Sequence, residues 1–256
     1  FKLFFIRLFM KELTQNVGKE TIRYLDCGEG IPIVFAHGIG KKPEAYLSLI
    51  ELLSGCSPGH KVIAPEMYGR NYLINQPATI GEYSELTQDF IHSLRLQEYY
   101  LVGHSLGGTV CFNLARESKD NICGVVGLSP GLPITDRGLL KSVKHYLGRR
   151  IKSPFKSLSF LISNTTPTIF HLLRKPSTWI KIIEDVRSIK PSTFDLTVPA
   201  KIFHAEEDEL IYLDSNVEAI IRDSGTIIEK LSGLDHNWPI SYYELAAKKT
   251  REFLMN

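Results

Sequence analysis

The sequence at residues 99–118 is YYLVGHSLGGTVCFNLARES. Its apolar beginning predicts a buried strand, and its second half predicts a helix. At the junction, Ser105 lies between Gly103 and Gly107 in the pattern G-x-S-x-G. A nucleophile at the tip of a sharp strand-to-helix turn has a strained backbone, and glycines two positions away on each side prevent clashes. We therefore predict that Ser105 is a nucleophile and that the start of the helix faces the negative charge that develops in its reaction. The predicted supporting residues of this turn are Gly103, His104 and Gly107.

Strands and helices alternate on both sides of this turn. The predicted strands are a pair within 10–30, then 31–36, 61–66, 122–130, 198–210 with its turn, and 227–231. The predicted helices are 44–53, 79–97 and 242–254. Thr79 and Glu82 have the spacing of a capping box at the start of the second of these helices. This alternation predicts an α/β fold, in which helices cover both faces of an open, mostly parallel sheet.

Residues 131–195 interrupt the alternation. The segment contains five prolines and no convincing buried strand, and the stretches between the prolines resemble short amphipathic helices. We predict that it is a helical cap inserted into a single domain. The core of that domain is then formed by residues 1–130 and 196–256.

The predicted cap is strongly basic. Residues 136–190 contain 12 basic and three acidic residues, a formal charge of +9, so the rest of the chain carries −7. Such a surface is either a solvated face or a contact site for anionic lipid head groups or an anionic substrate. Apolar residues among the basic ones suit an interfacial helix or the wall of an acyl pocket. We hypothesise a lipophilic ester substrate, reached at a membrane surface.

The overall composition is that of a globular protein, with 43% hydrophobic and 23% charged residues. A formal net charge of +2 does not indicate a nucleic-acid partner. The four cysteines have neither CxxC nor metal-ligand spacing, so we predict reduced, mostly buried thiols, a cytoplasmic location and no metal site. The sequence does not predict the oligomeric state.

The first ten residues are FKLFFIRLFM. They are too few to span a bilayer, which takes about 20 residues, and no small-residue cleavage site follows them. Three interpretations of residues 1–9 stay open. They are an additional strand, a peripheral anchor at a membrane surface, or the end of a truncated segment.

The serine turn and the alternating elements together resemble the α/β-hydrolase family, in its cap-bearing branch of small esterases and carbon–carbon hydrolases. The likeness spans residues 20–130 and 195–256. It implies a mainly parallel, eight-stranded sheet with an active site above its carboxyl edge, and it requires no metal or organic cofactor. A serine at position 105 differs from the aspartate that the epoxide hydrolase and dehalogenase branches have there.

The resemblance implies a catalytic triad in the chain order serine, acid, histidine. His236, in GLDHNWP after the last predicted strand, lies where the family has its general base. In VPAKIFHAEED, Asp208 matches the position of the orienting acid. Glu206 and Glu207 stay open as alternatives, and so does Asp235 beside the histidine.

The resemblance also implies an oxyanion hole, which needs two preorganised backbone N–H groups. Leu106, directly after the nucleophile, supplies one of them. The stretch HGIG resembles the family's HG-x-G, and by that match Ile39 supplies the other. Gly38 and Gly40 then allow close approach of the loop, and His37 braces it.

Three functions are compatible with these residues. The first is hydrolysis of a carboxylic ester, with a small-molecule ester or acyl compound as substrate. The second keeps the triad and changes the bond, as in carbon–carbon hydrolases, thioesterases, amidases and aminopeptidases. The third is a non-catalytic binding module, because a fold alone does not fix a function.

Overall fold

The computed structural model describes residues 10–39, 41–55, 59–67, 79–117, 121–133, 184–186, 188–208 and 210–255. Eight strands of these residues form one sheet: β1 (Lys11–Val17), β2 (Glu20–Cys27), β3 (Ile31–Ala36), β4 (His60–Pro65), β5 (Tyr99–His104), β6 (Ile122–Leu128), β7 (Ala200–Ala205) and β8 (Ile227–Leu231). Their order across the sheet is β1-β2-β4-β3-β5-β6-β7-β8. The pairs β1–β2 and β2–β4 are antiparallel and the other pairs are parallel, which confirms the predicted fold class.

The register of the parallel strands brings their carboxyl ends to one edge of the sheet. Ala36 at the end of β3 pairs with Gly103 near the end of β5. Leu128 at the end of β6 is next to both His104 of β5 and Phe203 of β7. The loops that follow these strands therefore meet above one edge, which is where open α/β sheets bind ligands.

Helices pack on both faces of the sheet. They are α1 (Leu47–Ser54), α2 (Ile80–Ser93), α3 (Leu106–Glu117), α4 (Ser215–Asp223), α5 (Trp238–Ser241) and α6 (Tyr243–Leu254). One core layer contains buried side chains of α2, α3 and α4, and the other contains those of α1, α5 and α6. Residues 33–35 of β3 are fully buried between the layers, as expected for a strand covered on both faces.

The start of α2 has the predicted capping box. The Thr79 side chain accepts from the Glu82 N–H, and the Glu82 carboxylate accepts from the Thr79 N–H. The predicted helix at 44–53 is instead divided, because Pro43 begins a short 3-10 turn, Pro43–Tyr46, before α1. Neither α4 nor α5 was among the predicted helices.

Most of the predicted cap lies outside the described residues, and so do residues 1–9. At the described end of the cap, the 3-10 turn Pro191–Phe194 packs on the core, where the rings of Phe194 and Phe112 are 4.8 Å apart. The Ile80 N–H at the start of α2 donates to the carboxylate of Asp185. Among the described residues, no helix has both the length and the apolar character needed to cross a bilayer.

Three of the cysteines fall within the described residues, and all three are free thiols. Cys27 and Cys111 are buried, whereas Cys123 is partly exposed. Burial raises the pKa of each of these thiols. Two of these three thiols are buried, as predicted, and a raised pKa keeps a thiol neutral.

Candidate active site

The turn between β5 and α3 has the strained geometry predicted from its sequence. Ser105 has a φ of 54°, in the left-handed region that side chains rarely adopt. A Cβ added to Gly103 would lie 2.4 Å from the carbonyl oxygen of Gly107. A Cβ added to Gly107 would lie 2.2 Å from the carbonyl oxygen of Ala36. Any side chain at position 103 or 107 would therefore clash with the backbone, as the pattern G-x-S-x-G predicted.

The structure brings Ser105, His236 and Asp208 together from three separate loops. The Nε2 of His236 is 3.0 Å from the Oγ of Ser105. Its Nδ1 is 2.7 Å from the Oδ2 of Asp208. The side chains of His236 and Asp208 are almost completely buried, so this hydrogen-bonded chain is shielded from water.

The alternative acids that the sequence left open lie elsewhere. The exposed Glu206 carboxylate accepts from the Ser232 hydroxyl. Glu207 is exposed, and Asp235 accepts from the Asn237 N–H at 3.0 Å. The Asp208 carboxylate bonds to Nδ1 of His236 at 2.7 Å.

The environment of Asp208 keeps its carboxylate ionised. Burial acts to raise its pKa, but the electrostatic interaction and the hydrogen bond with His236 outweigh that effect, together with two backbone N–H donors. Those donors are Leu210 at 2.9 Å and Ile211 at 2.8 Å, both to Oδ1. The pKa of Asp208 therefore lies below its ordinary value. An ionised Asp208 accepts the Nδ1–H of His236, so Nε2 is the acceptor that faces the Ser105 hydroxyl.

The predicted oxyanion loop lies against the serine turn. A Cβ added to Gly38 would be 3.2 Å from the Cβ of Ser105, so a larger residue there would push its neighbours by a few tenths of an ångström. Leu106 is the first residue of α3, where backbone N–H groups have no partner within the helix. Ile39 is partly buried in the same loop. The roles of Ile39 and Leu106 as oxyanion donors stay predictions, and Gly40 lies outside the described residues.

The two histidines beside these loops are buried and neutral. Nδ1 of His37 is 3.0 Å from the carbonyl oxygen of Gly38, and burial lowers the pKa of His37 to about 4. Burial also lowers the pKa of His104 to about 3. The His104 ring contacts the Tyr46 hydroxyl and the backbone of His236. Both histidines therefore contact backbone or side-chain groups of the loops around the site.

Sequence reasoning missed three residues that hold these loops. Tyr46 and Trp238 are fully buried next to the loops that carry Gly38 and His236. The Trp238 indole N–H donates to the hydroxyl of Ser129 at 3.2 Å. No local pattern could have linked Trp238 with Ser129, because they are 109 positions apart in the chain.

The described residues contain no group of three or more His, Cys, Asp or Glu side chains that could hold a metal ion. What the site does contain is a hydroxyl, an acceptor nitrogen and an ionised carboxylate in series. Such a series can activate an oxygen nucleophile and then return the proton to a leaving group.

Comparison with known proteins agrees with the fold. The family model for the alpha/beta hydrolase fold matches residues 31–165, more than half of the chain. The protein therefore belongs to the α/β-hydrolase fold family.

One curated relative is the (E)-2-((N-methylformamido)methylene)succinate hydrolase of Acinetobacter baylyi. It is 32% identical over 108 residues, which cover 41% of this chain and 40% of that protein. The chain thus spans about two fifths of this relative's length. The region of likeness does not include the whole of either protein.

Solved structures of the family share the fold over almost the whole chain. A bacterial membrane phospholipase A has a TM-score of 0.77 at 15% identity, covering 98% of this chain and 90% of that one. An E-2-(acetamidomethylene)succinate hydrolase has a TM-score of 0.74 at 17% identity, covering 96% and 100%. At such identities the likeness extends to the fold alone.

Proposed function

We propose that the protein is a serine hydrolase that cleaves a carboxylic ester through an acyl-enzyme on Ser105. The observation that carries this proposal is the continuous chain from the Ser105 hydroxyl through His236 to the buried Asp208, with distances of 3.0 and 2.7 Å. A serine hydroxyl is a poor nucleophile by itself, and this arrangement supplies the base and the orienting acid that it needs.

In the first half of the reaction, Nε2 of His236 takes the proton of Ser105 as Oγ attacks the ester carbonyl. Asp208 stabilises the imidazolium that forms. The N–H groups of Ile39 and Leu106 donate to the oxyanion of the tetrahedral intermediate. His236 then gives its proton to the departing alcohol oxygen, which leaves an acyl group on Ser105.

In the second half, water attacks the acyl carbonyl while His236 accepts one of its protons. The second tetrahedral intermediate collapses, and the proton returns to the Oγ of Ser105. The products are a carboxylic acid and the alcohol released earlier. The complete reaction consumes one water molecule per ester and regenerates the free enzyme.

We further propose that the ester is lipophilic. The support is the composition of residues 131–195, where apolar residues alternate with many basic ones. Contact with an anionic membrane surface belongs to this same proposal. Liposome sedimentation with and without anionic lipid tests the membrane part independently of catalysis.

A second candidate keeps the triad and cleaves a bond other than an ester. It is favoured by the 32% identity to a protein named as a hydrolase of a substituted methylenesuccinate. Thioesters, amides and carbon–carbon bonds are the alternatives of this class. A binding module without catalysis is disfavoured because Ser105, His236 and Asp208 form an unbroken hydrogen-bonded chain.

The test is a panel of p-nitrophenyl esters of graded acyl length, with matched thioesters and anilides. We expect turnover of esters that rises with acyl length, and loss of turnover in Ser105→Ala. Turnover of anilides or thioesters in preference to esters would favour the second candidate. Equal turnover by wild type and Ser105→Ala would contradict the proposed nucleophile.

A further inference from the structure

A second hydrogen-bonded chain lies next to the triad and joins the loop of Gly38, the end of β5 and the loop of His236. The Oη of Tyr46 is 3.2 Å from the backbone nitrogen of Gly38 and 2.7 Å from Nδ1 of His104. On the other side of the ring, Nε2 of His104 is 2.9 Å from the carbonyl oxygen of His236. The chain thus runs from the oxyanion loop, through the strand that carries the nucleophile, to the loop of the base.

The donors and acceptors of this chain allow one direction only. The carbonyl of His236 can only accept, so Nε2 of His104 must carry a hydrogen. Because burial lowers the pKa of His104 to about 3, the ring is neutral and its Nδ1 is an acceptor. The Tyr46 hydroxyl must therefore donate to Nδ1, and its oxygen accepts the Gly38 N–H. Every group in the chain is satisfied in this direction.

Packing holds Tyr46 in the position from which its hydroxyl bonds to Gly38 and His104. It ends the 3-10 turn Pro43–Tyr46 and is fully buried, with its ring 4.9 Å from that of Phe35. Burial raises the pKa of Tyr46, so its hydroxyl keeps the proton that it donates. A Cβ added to Gly38 would lie 3.1 Å from Nδ1 of His104 and 3.4 Å from Oη of Tyr46. The loop therefore packs directly on the chain.

We propose that Tyr46 is a positioning residue for the hydrolytic reaction. Its bond to His104 holds the backbone of His236 in place, and its bond to Gly38 holds the loop that carries Ile39. Neither contact uses an atom of the triad side chains, so Tyr46 acts through other residues. The inference rests on the proposed function, because it concerns the rate of the same reaction.

Such a residue affects the reaction rate more than substrate affinity. Misplacement of reacting groups by a fraction of an ångström slows acyl transfer and leaves the binding surface largely intact. We expect Tyr46→Phe, which removes only the hydroxyl, to lower kcat about 10-fold while KM changes less than about twofold.

The matched control is Tyr100→Phe. Tyr100 lies on β5, the strand that carries the nucleophile, and its hydroxyl is 3.5 Å from the carbonyl of Leu254, away from the site. We expect this variant to keep the kcat of the wild type. Thermal unfolding of both variants establishes that the rates are compared between folded proteins.

His104→Gln provides the second arm. The glutamine amide can still donate to the His236 carbonyl but offers no ring nitrogen to Tyr46. If the two residues act through one chain, the double variant with Tyr46→Phe should be no slower than the slower single variant. If Tyr46→Phe alone folds poorly, the His104→Gln single variant tests the same chain, because it removes the ring nitrogen that accepts the tyrosine hydroxyl. A folded His104→Gln that keeps the wild-type kcat would then overturn the inference.

The rates of fluorophosphonate labelling separate this inference from the proposed function. If Ser105→Ala is labelled as fast as wild type, the proposed function is wrong. If Ser105→Ala is inert while a folded Tyr46→Phe reacts at the wild-type rate, only the role of Tyr46 is overturned. Additive losses in the double variant would overturn it as well. An approximately 10-fold slower reaction of Tyr46→Phe, with non-additive losses, is the expected result.

Discussion

The pattern G-x-S-x-G occurs at two neighbouring strand ends, in GHSLG at 103–107 and in GLSPG at 127–131. Both serines have a left-handed backbone, with φ of 54° at Ser105 and 45° at Ser129. The Ser105 hydroxyl lies beside a ring nitrogen of His236. The Ser129 hydroxyl is fully buried and accepts the indole N–H of Trp238. Backbone strain and flanking glycines are therefore not sufficient for a nucleophile.

What distinguishes the two turns is the partner of each hydroxyl. At Ser105 the partner is an acceptor that can remove the proton, and α3 begins directly after the turn. At Ser129 the partner is a donor, which uses a lone pair of the oxygen and lowers its nucleophilicity. We infer that one turn serves chemistry and that the other holds Trp238 and the loop of His236.

The largest expected effect is on the nucleophile itself. Ser105→Ala should lower kcat by about 10⁴-fold or more, since the triad loses its attacking atom. Ser129→Ala is the matched control at the other turn and should lose less than about 10-fold, through a weaker hold on Trp238. Ester turnover by the two purified variants measures the contrast. A larger loss at Ser129 than at Ser105 would reverse the assignment.

The next effect concerns the acid. Asp208→Asn keeps the shape but removes the charge that holds His236 in its productive tautomer, so kcat should fall about 10³- to 10⁴-fold. Glu206→Gln and Glu207→Gln, two and one residues before it, should leave kcat within about twofold. Comparable losses at either glutamate would show that the acid is misassigned.

Substitution of glycine by alanine should destabilise the protein more at the Ser105 turn than at the Ser129 turn. A Cβ at Gly107 meets backbone oxygen at 2.2 Å, whereas a Cβ at Gly131 meets a side-chain atom, the Thr109 hydroxyl, at the longer distance of 2.7 Å. Gly107→Ala should therefore cost about 3 kcal/mol or more in the free energy of unfolding, and Gly131→Ala clearly less. Denaturant unfolding compares them. Gly81→Ala, where the nearest atom is 3.7 Å away, should be neutral or stabilising.

The smallest expected effect is on the pH dependence of stability. Burial lowers the pKa of His37 to about 4 and of His104 to about 3, from an ordinary value of 6.5. The unfolded chain binds protons at these histidines below pH 6.5 and the folded protein does not. Stability should therefore fall between pH 7 and pH 5, by on the order of 1–2 kcal/mol for each histidine.

Urea unfolding at pH 7, 6 and 5 measures this loss. His104 lies in the turn of Ser105 and His37 in the neighbouring loop. His104→Gln removes one of the two histidines, so the free energy of unfolding should fall less between pH 7 and pH 5 than in the wild type. A free energy of unfolding that is constant or higher at pH 5 would contradict buried neutral rings.

The sequence predicted the fold well wherever a buried strand is a short apolar run between turns. Residues 31–36 form a strand with the predicted bounds, because an apolar run of this length suits a sheet covered on both faces. The partly exposed edge strand at 227–231 also has the predicted bounds. The helix predicted at 44–53 is divided, because Pro43 supports a tighter first turn. The helix Ser215–Asp223 was not predicted individually, although the chain length between Asp208 and His236 suggested a crossover there.

The candidate triad could be predicted because chain order and local pattern restrict it. Glu206, Glu207 and Asp208 are adjacent in sequence, so choosing among them depends on which carboxylate turns towards His236, a property of the folded turn. The contact between Tyr46 and His104 joins residues 58 positions apart and has no local signature. The different partners of Ser105 and Ser129 likewise exist only once the sheet has formed.

Modification by a fluorophosphonate, followed by mass spectrometry of the digested protein, tests the assignment of the nucleophile most directly. We predict a single adduct on the peptide that contains Ser105, and none on the peptide that contains Ser129. An adduct on Ser129 or another residue would contradict the assignment. A folded wild-type protein that gains no adduct at all would contradict the activated serine itself.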